Sequence, residues 1–597
     1  MPSSKLKSRV LTPAANRQTV TPVPWLWLWT AIGAVLRFVN LTAKPPWTDE
    51  FATLTFSLGN SYLPIPVDEP ITLNQLLMPL QTNLGGNLGD VFTKLITEDN
   101  HPPLFFLLMH LWLKLFPQDE YISLWAVRSL SVVFGVLAIP AIYGLAKAIF
   151  RSTLIAQSCA ILMAISPYGI YLAQEGRHYT LGILFVIASL FCWFKTIQCL
   201  WYGKTIPVGL MVVWAIVNSL GFLNHYFFVL TLLAEAMVIL GGVAIAFGQG
   251  KRYDLVSNIG RLSIAVVLTA TVILLWRFQV LPPDYGSTKT AWIQTNYSSI
   301  LGIISPIFQL AAAIVPMSFL LPVESPWLPL AIVSGVIMAL YLFWLIPIVI
   351  WGRKVYLKQL QTRLGIQLLF SFIASAIATF LGLTYIFGID ITRGARYSFV
   401  YFPAVILILG AILAACWQRD RLHFQIQPFP KKLRRQPVYR QGKIMAIAMV
   451  IMGLCSGITV VSNLGYQKYY RPDLLQPILE ESQAATVLMA TTHESLVQTG
   501  EMMSIAWLLK DSPMADKTQF LLAHQPQKGS KVATETLQYT LRKLPRSLDL
   551  WLINFYAPIE LNDCTIDRQV FPTLDGYNYQ LYHCPEVSNI RAQDGDI

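Results

Sequence analysis

The sequence predicts an α-helical polytopic membrane protein of about eleven transmembrane helices, with external juxtamembrane helices and a small soluble C-terminal domain of α/β or α+β class. Three observations lead there. Of 597 residues, 54% are hydrophobic and only 13% charged, more apolar and less charged than an ordinary soluble protein. The apolar residues gather into runs close to the roughly 20 residues that a bilayer span needs. The cations between those runs fall in short loops, in the alternating pattern of the positive-inside rule. That placement also accounts for the formal net charge of +12, so the basic balance points to membrane orientation and not to a nucleic-acid partner.

Residues 1–22 carry Lys5, Lys7, Arg9 and Arg17 with no acid. The apolar run behind them has no small-residue cleavage site, so they read as a cytoplasmic tail ahead of an uncleaved signal anchor. The run 25–40 then crosses outward, with Arg37 expected to snorkel at its outer end. Residues 41–100 are external, their acids (Asp49, Glu50, Asp68, Glu69, Asp90, Glu98, Asp99) outnumbering Lys44 and Lys94. The next apolar run, 104–116, is shorter than a span. Because 124–150 ends at Lys147 and Arg151 and must therefore come inward, 104–116 stays on the outer side as an interfacial or re-entrant segment.

Alternation continues through 153–172 (out), 179–200 (in), 207–223 (out), 227–247 (in) and 259–279 (out). The run 301–321 is broken by Pro306 and Pro316. If it spanned, Arg353, Lys354, Lys358 and Arg363 would sit on the wrong face, so it reads as a second external interfacial helix. Then 327–351 enters, 364–387 exits and 398–416 enters, to a loop with Arg419, Arg421, Lys431, Lys432, Arg434, Arg435, Arg440 and Lys443 against the single acid Asp420. The run 444–462 exits. The expected domains are thus the cytoplasmic tail 1–22, a transmembrane domain 23–463 and an external soluble domain 464–597. Within the last, 494–510 reads as helix and 549–555 and 577–582 as strands. Five of the seven cysteines lie in or beside apolar runs, with no metal-ligand spacing. Cys564 and Cys584 lie in the polar tail, where an oxidising compartment would let them pair, for about 3 kcal/mol of stabilisation.

This topology brings four polar stretches to the outer face. Asp49 and Glu50 follow the first span in Pro45-Pro46-Trp47-Thr48-Asp49-Glu50-Phe51, either as a solvated loop or as a reacting pair. Gln174-Glu175-Gly176-Arg177-His178-Tyr179 is a turn with interfacial anchors or a charged site. Asn224-His225-Tyr226-Phe227 reads equally as a structural turn. Asp390-Ile391-Thr392-Arg393-Gly394-Ala395-Arg396-Tyr397 offers two arginines to a phosphate, an acid or a lipid headgroup. Together, outer acids and outer arginines fit a reaction in which a carboxylate deprotonates an acceptor while cations hold an anionic leaving group. They also fit a transporter or flippase for a lipid-linked glycan. Against that stand the lack of internal repeats and of ionisable groups placed near the bilayer midplane on interrupted helices.

In these residues the chain resembles the C-type membrane glycosyltransferases, in particular the glycosyltransferase family 39-like group related to protein O-mannosyltransferases and lipid A aminoarabinose transferase. The resemblance covers roughly 25–415. It rests on Trp47-Thr48-Asp49-Glu50, His101-Pro102-Pro103-Leu104, Ser166-Pro167-Tyr168 leading to Gln174-Glu175-Gly176-Arg177-His178-Tyr179, His225-Tyr226, and Arg396-Tyr397, in that order. It implies an inverting enzyme whose donor is a polyprenyl-phosphate sugar, with the catalytic acid and juxtamembrane helices in the first external loop. Asp49 would be the general base and Glu50 its neighbour. Arg177, Arg393, Arg396 and Tyr397 would hold the donor phosphate, and Glu175, His178, His101, His225 and Tyr226 would line the substrate site. Gly176 stands where many relatives have Ala, and the tail after Ser462 matches no pattern of the family. The acceptor stays open among lipid, glycan and protein. No cofactor is implied, and an Asp-Glu pair without a third ligand gives no support for a divalent metal.

Overall fold

The computed structural model describes residues 24–117, 119–248, 253–282, 291–294, 299–419, 442–526, 530–561 and 563–586. The tail 1–22 and most of the basic loop after Trp417 lie outside the described residues. All eleven runs read as spans are helical: α1 (Pro24–Phe38), α6 (Leu124–Phe150), α7 with α8 (Thr153–Ile165, Pro167–Ala173), α9 (Tyr179–Trp201), α10 (Val208–Asn224), α11 (Phe228–Gly248), α12 (Tyr253–Leu275), α14 (Leu328–Lys358), α15 (Leu360–Phe387), α16 (Phe402–Trp417) and α17 (Gly442–Val461). The chain is an α-helical polytopic membrane protein. By length and composition alone, seven helices of the described residues qualify as spans, or eight if α7 and α8, bent by 54°, count as one.

The bend has a chemical cause. Pro167 has no N–H to continue the α7 ladder. Ser166 starts a new helix by accepting from the Gly169 N–H, while its hydroxyl donates to the Met317 carbonyl at 2.7 Å. The carbonyls freed at the end of α7 need a donor, and Arg37 supplies it, donating to Met163 and Ala164 at 2.8 and 2.9 Å. Arg37 is fully buried. The snorkelling expected for it is therefore wrong: the guanidinium turns inward because an open helix end there accepts its hydrogen bonds.

Two short apolar helices lie at one end of the bundle. The first, α5 (Leu104–Leu113), packs with α2 (Thr48–Ser57) and α4 (Leu88–Glu98); its ten residues span about 15 Å, half a bilayer core. The second, α13 (Ile300–Ile314), is apolar enough to cross, but its bonds run to one layer along its whole length. The Ile303 carbonyl accepts from Tyr385 at the end of α15, Gln309 accepts from Thr392, the Pro316 carbonyl accepts from Tyr466 and the Met317 carbonyl from Ser166. It therefore lies across the end of the bundle, which keeps the Trp292 and Arg393 loops on the same side.

The C-terminal region is an α/β sheet layer with strand order β1-β3-β2-β4-β6-β5. Here β2 (Thr486–His493), β3 (Thr518–His524) and β4 (Leu548–Ile553) are parallel; β6 (Tyr579–Cys584) and β5 (Thr565–Ile566) run antiparallel at one edge. The expected strands and the expected helix, α19 (Leu496–Leu509), fall within a few residues of their sequence positions. Cys564 and Cys584 form a disulfide. The other edge strand, β1 (Pro70–Thr72), comes from the first loop and pairs antiparallel with β3. Residues of α2, α4 and α5 share one hydrophobic core with α18 (Pro472–Leu479), α19 and the near face of the sheet, whereas α20 (Val532–Lys543) covers the far face. The first loop and the tail thus form a single cap over one end of the helices.

Candidate functional site

Under that cap, α2 begins directly after Pro45-Pro46 with Trp47 as its N-cap. Asp49 and Glu50 fall in its first turn, where the helix dipole favours acids. Adjacent residues on a helix point about 100° apart, so the two carboxylates part company. Glu50 faces inward and is fully buried. Both its oxygens accept from Arg128 at 2.7 Å, and Oε1 also accepts from the Gly176 N–H at 2.7 Å. Arg128 spends its remaining donors on the carbonyls of Leu41 and Lys44. Glu50, expected beside the reacting groups, thus ties α2, the loop before it, α6 and the Glu175–Arg177 turn together. A Cβ on Gly176 would stand 2.5 Å from Val127 Cγ1, so Ala there would require Val127 to move.

Asp49 faces away from that clamp, with 31% of its side chain exposed, and its Oδ2 lies 3.2 Å from Arg396 Nη2. Burial alone would raise its pKa; Arg396, Arg177, His101 and Lys468 outweigh that and hold it below the ordinary carboxylate value. Arg177 donates from Nη1 to the Asp49 carbonyl and, at 3.0 Å, to Thr53 Oγ1. Its Nη2 reaches His101 Nε2 at 2.7 Å, and His101 Nδ1 lies 2.8 Å from Asp99 Oδ2. A cation on one ring nitrogen and a carboxylate on the other assign the tautomer: Nδ1–H donates to Asp99 and Nε2 accepts from Arg177. Asp99, His101, Arg177 and Thr53 therefore hold the backbone of Asp49 in place.

Arg396 lies over the rings of Trp47, Tyr397 and Trp292, at 5.0, 5.0 and 5.6 Å from their centroids. Lys468, from the chain just past α17, stands 3.7 Å from the Trp47 centroid and pairs with Glu175 Oε1. His178 is fully buried, its ring 4.5 Å from that of His225 and 5.4 Å from that of His101. Burial, with His101, Arg177 and Arg396 nearby, drives the pKa of both His178 and His225 well below that of free imidazole. Around this group several buried polar atoms have no hydrogen-bond partner among the described residues: Trp47 Nε1, Glu175 Oε2, Arg177 Nε, Arg396 Nε and both His178 nitrogens. Buried polar atoms of this kind call for a partner, whether water or a ligand.

Two expected site residues bond to groups other than Asp49. Arg393 is exposed, paired with Asp390 at 3.4 Å, and donates to the Trp292 carbonyl. Tyr226 accepts from Trp276 Nε1 at 3.0 Å and packs on Phe222. The sequence does not announce Arg128, Asp99 or Lys468 as parts of the site. Arg128 had a signal, being a lone cation in the first turns of a 27-residue apolar helix. Among the described residues no three His, Cys, Asp or Glu side chains gather as metal ligands would.

Residues 100–276 match the family described as Dolichyl-phosphate-mannose-protein mannosyltransferase. The resemblance to C-type membrane glycosyltransferases is borne out over that stretch, which holds His101, Arg128, Glu175, Arg177, His178 and His225; Asp49 and Arg396 lie outside it. Of solved structures, ArnT from Cupriavidus metallidurans bound to undecaprenyl phosphate aligns at 11% identity with a TM-score of 0.46, covering 94% of this chain and 98% of its own. The Archaeoglobus fulgidus oligosaccharyltransferase in complex with Zn and sulfate aligns at 14% identity and TM-score 0.46, over 89% and 68%. AglB from the same organism, in complex with an inhibitory peptide and a dolichol-phosphate, aligns at 13% and 0.43, over 89% and 69%. No curated protein sequence matches the chain.

Proposed function

We propose that this mannosyltransferase-like protein is an inverting glycosyltransferase that moves a sugar from a polyprenyl-phosphate donor to a hydroxyl acceptor, on the non-cytoplasmic face of the membrane. The observation that carries the reading is Asp49: a partly exposed carboxylate, kept ionised by Arg396 and held by its backbone to Arg177, at the centre of a group of unpartnered buried polar atoms. The family matched by residues 100–276 is named for a dolichyl-phosphate-linked mannose donor, which supports a lipid-phosphate sugar as the donor class.

The acceptor hydroxyl approaches the anomeric carbon while Asp49 takes its proton. The bond from that carbon to the phosphate oxygen breaks, and its electron pair leaves with the polyprenyl phosphate, whose growing charge Arg396 meets. A base below the ordinary carboxylate range is weak in the empty site. Once the donor phosphate draws Arg396 to itself, Asp49 loses its strongest neighbouring cation and its proton affinity rises, so it becomes a better base when substrate is bound. The placement on the outer face follows from the positive-inside reading, and the shared core of the first loop and the tail supports putting both on one side.

The test is transfer by purified protein from a labelled polyprenyl-phosphate sugar to a panel of lipid, glycan and peptide acceptors. Expected is label in an acceptor and free polyprenyl phosphate. A donor that crosses a bilayer with its linkage intact, and gives no transfer to any acceptor, would overturn the proposal in favour of a lipid-linked glycan transporter.

A further inference from the structure

Resting on the transferase reading, we propose that Lys468 is a ligand of the donor phosphate, held ready by Glu175, so that the chain beyond the last apolar helix completes the donor site. Nothing in the family pattern reaches this residue, which lies in the segment after Ser462.

The geometry that points there has three parts. First, the segment is fixed. Lys44, in the loop before Trp47, donates to the carbonyls of Gly465 and Tyr466 at 2.9 and 3.4 Å, and the Gln467 N–H donates to Glu324 Oε2 at 2.6 Å. The Tyr466 ring stacks on Tyr171, with centroids 4.1 Å apart and planes within 4°. Lys468 is delivered to the cleft by three anchors. Second, its ammonium shares the Trp47 indole with Arg396, at 3.7 and 5.0 Å from the ring centroid. The two cations therefore share one ring, and each is near enough to feel the other's charge. Third, its partner is incomplete. Glu175 is buried, pairs with Lys468 through Oε1 and leaves Oε2 without a hydrogen bond among the described residues. A carboxylate kept solely to anchor a buried lysine would be expected to satisfy both oxygens, because an unpaired charged oxygen away from water is costly.

The charge the site must handle explains a second cation. A polyprenyl-phosphate sugar is a phosphodiester with one negative charge. When the sugar leaves, the product phosphate monoester carries up to two. Arg396 is already opposed by Asp49, and Arg177 commits both terminal nitrogens to Asp49, Thr53 and His101. Lys468 adds to Arg396 a second cation whose partner can give way: as the phosphate gains charge, the ammonium shifts from Glu175 to it. Its contribution then grows from ground state toward transition state, so its loss lowers kcat more than it raises the donor KM.

The experiment measures binding of a short-chain polyprenyl phosphate to the full-length protein in detergent, with the uncharged polyprenol as control, and donor kinetics beside it. Expected for Lys468→Met is about tenfold to a hundredfold weaker binding of the phosphate, with unchanged polyprenol binding and a fall in kcat exceeding the rise in KM. Lys468→Arg should retain part of both. Glu175→Gln frees the ammonium and should bind the phosphate as well as wild type or better. The double variant should bind as poorly as Lys468→Met. The assignment is overturned if Lys468→Met binds the phosphate like wild type, if Glu175→Gln weakens binding as much as Lys468→Met does, or if the double variant recovers, since the last two results mark a pair that only holds the fold. Wild type that prefers the phosphate no more than the polyprenol overturns the donor reading itself, and this assignment with it.

Discussion

Asp49 and Glu50 are neighbours in sequence, yet the regions on their two sides are built on opposite principles. Around Glu50 each charge has its counterpart: Arg128 takes both carboxylate oxygens, and the Gly176 N–H and two loop carbonyls take what remains. Around Asp49 the charges are crowded and under-satisfied, with cations on several sides and orphaned nitrogens on Trp47, Arg177, Arg396 and His178. The satisfied region is suited to holding the elements together. The unsatisfied one stores unfavourable energy that a polar, anionic ligand would relieve, and the neighbouring clamp keeps it from collapsing onto itself.

The largest effect should come from removing the base. Asp49→Asn keeps the shape of the side chain and should cut transfer by about 10² to 10⁴ with folding intact; thermal stability and transfer rate measured on the same preparation would show it. Full transfer by this variant would mean that the base lies elsewhere in the cleft. On the other side, Glu50→Gln leaves Arg128 buried without a counter-charge and should destabilise by about 3–5 kcal/mol, seen as a large drop in the unfolding temperature. If Glu50→Gln were as stable as wild type yet inactive, the division between holding and reacting would be wrong, and Glu50 would belong with the chemistry.

The contrast also separates what was legible in the sequence from what was not. Asp49, Arg177 and Arg396 stand out because ionisable groups just past apolar runs need a reason to be there, and those three meet in space. The inner clamp was invisible because its halves are 78 residues apart and Arg128 counts as one blemish in an apolar helix. Arg37 was misread for a related reason: a charge near the end of a span suggests water, whereas its partners are carbonyls opened by a break 126 residues further on. Lys468 lies 297 residues from Tyr171 in a tail without a recognisable pattern. The tail's own strands and disulfide were readable because they depend on local alternation and on compartment. Its first edge strand was not, since three residues at 70–72 acquire meaning only by pairing with β3.

A smaller effect should distinguish geometry from charge within the open region. Arg396 bonds to Asp49, lies over three rings and keeps one nitrogen without a partner. Arg396→Ala should lose about 1.5–3 kcal/mol of donor interaction, and Arg396→Lys less, since the charge remains while the planar fork is lost. The donor KM and kcat of the two variants give the comparison. Equal values for both variants and wild type would move the phosphate toward Arg177.

The smallest effect concerns the cost of keeping the open region cationic. His178 and His225 are buried against each other and against Arg177, Arg396 and His101, and their pKa values lie well below the 6.5 of free imidazole. The unfolded chain therefore binds more protons than the native one once the pH falls below about 6.5, and stability declines from there as pH drops. Each imidazole contributes up to about 1.4 kcal/mol per pH unit across that window. Asp49, whose pKa is depressed, acts in a separate range: its contribution is present above the unfolded carboxylate value and is lost only at more acidic pH. Unfolding temperatures between pH 7.5 and 5.5 should thus fall for wild type and fall less for His225→Phe, which keeps an aromatic ring beside Phe227 and Phe399 but cannot take a proton. A wild-type protein equally stable at both pH values would show that the histidines reach solvent or a counter-ion on protonation, and that the cleft is less strained by its own charge than the orphaned nitrogens indicate.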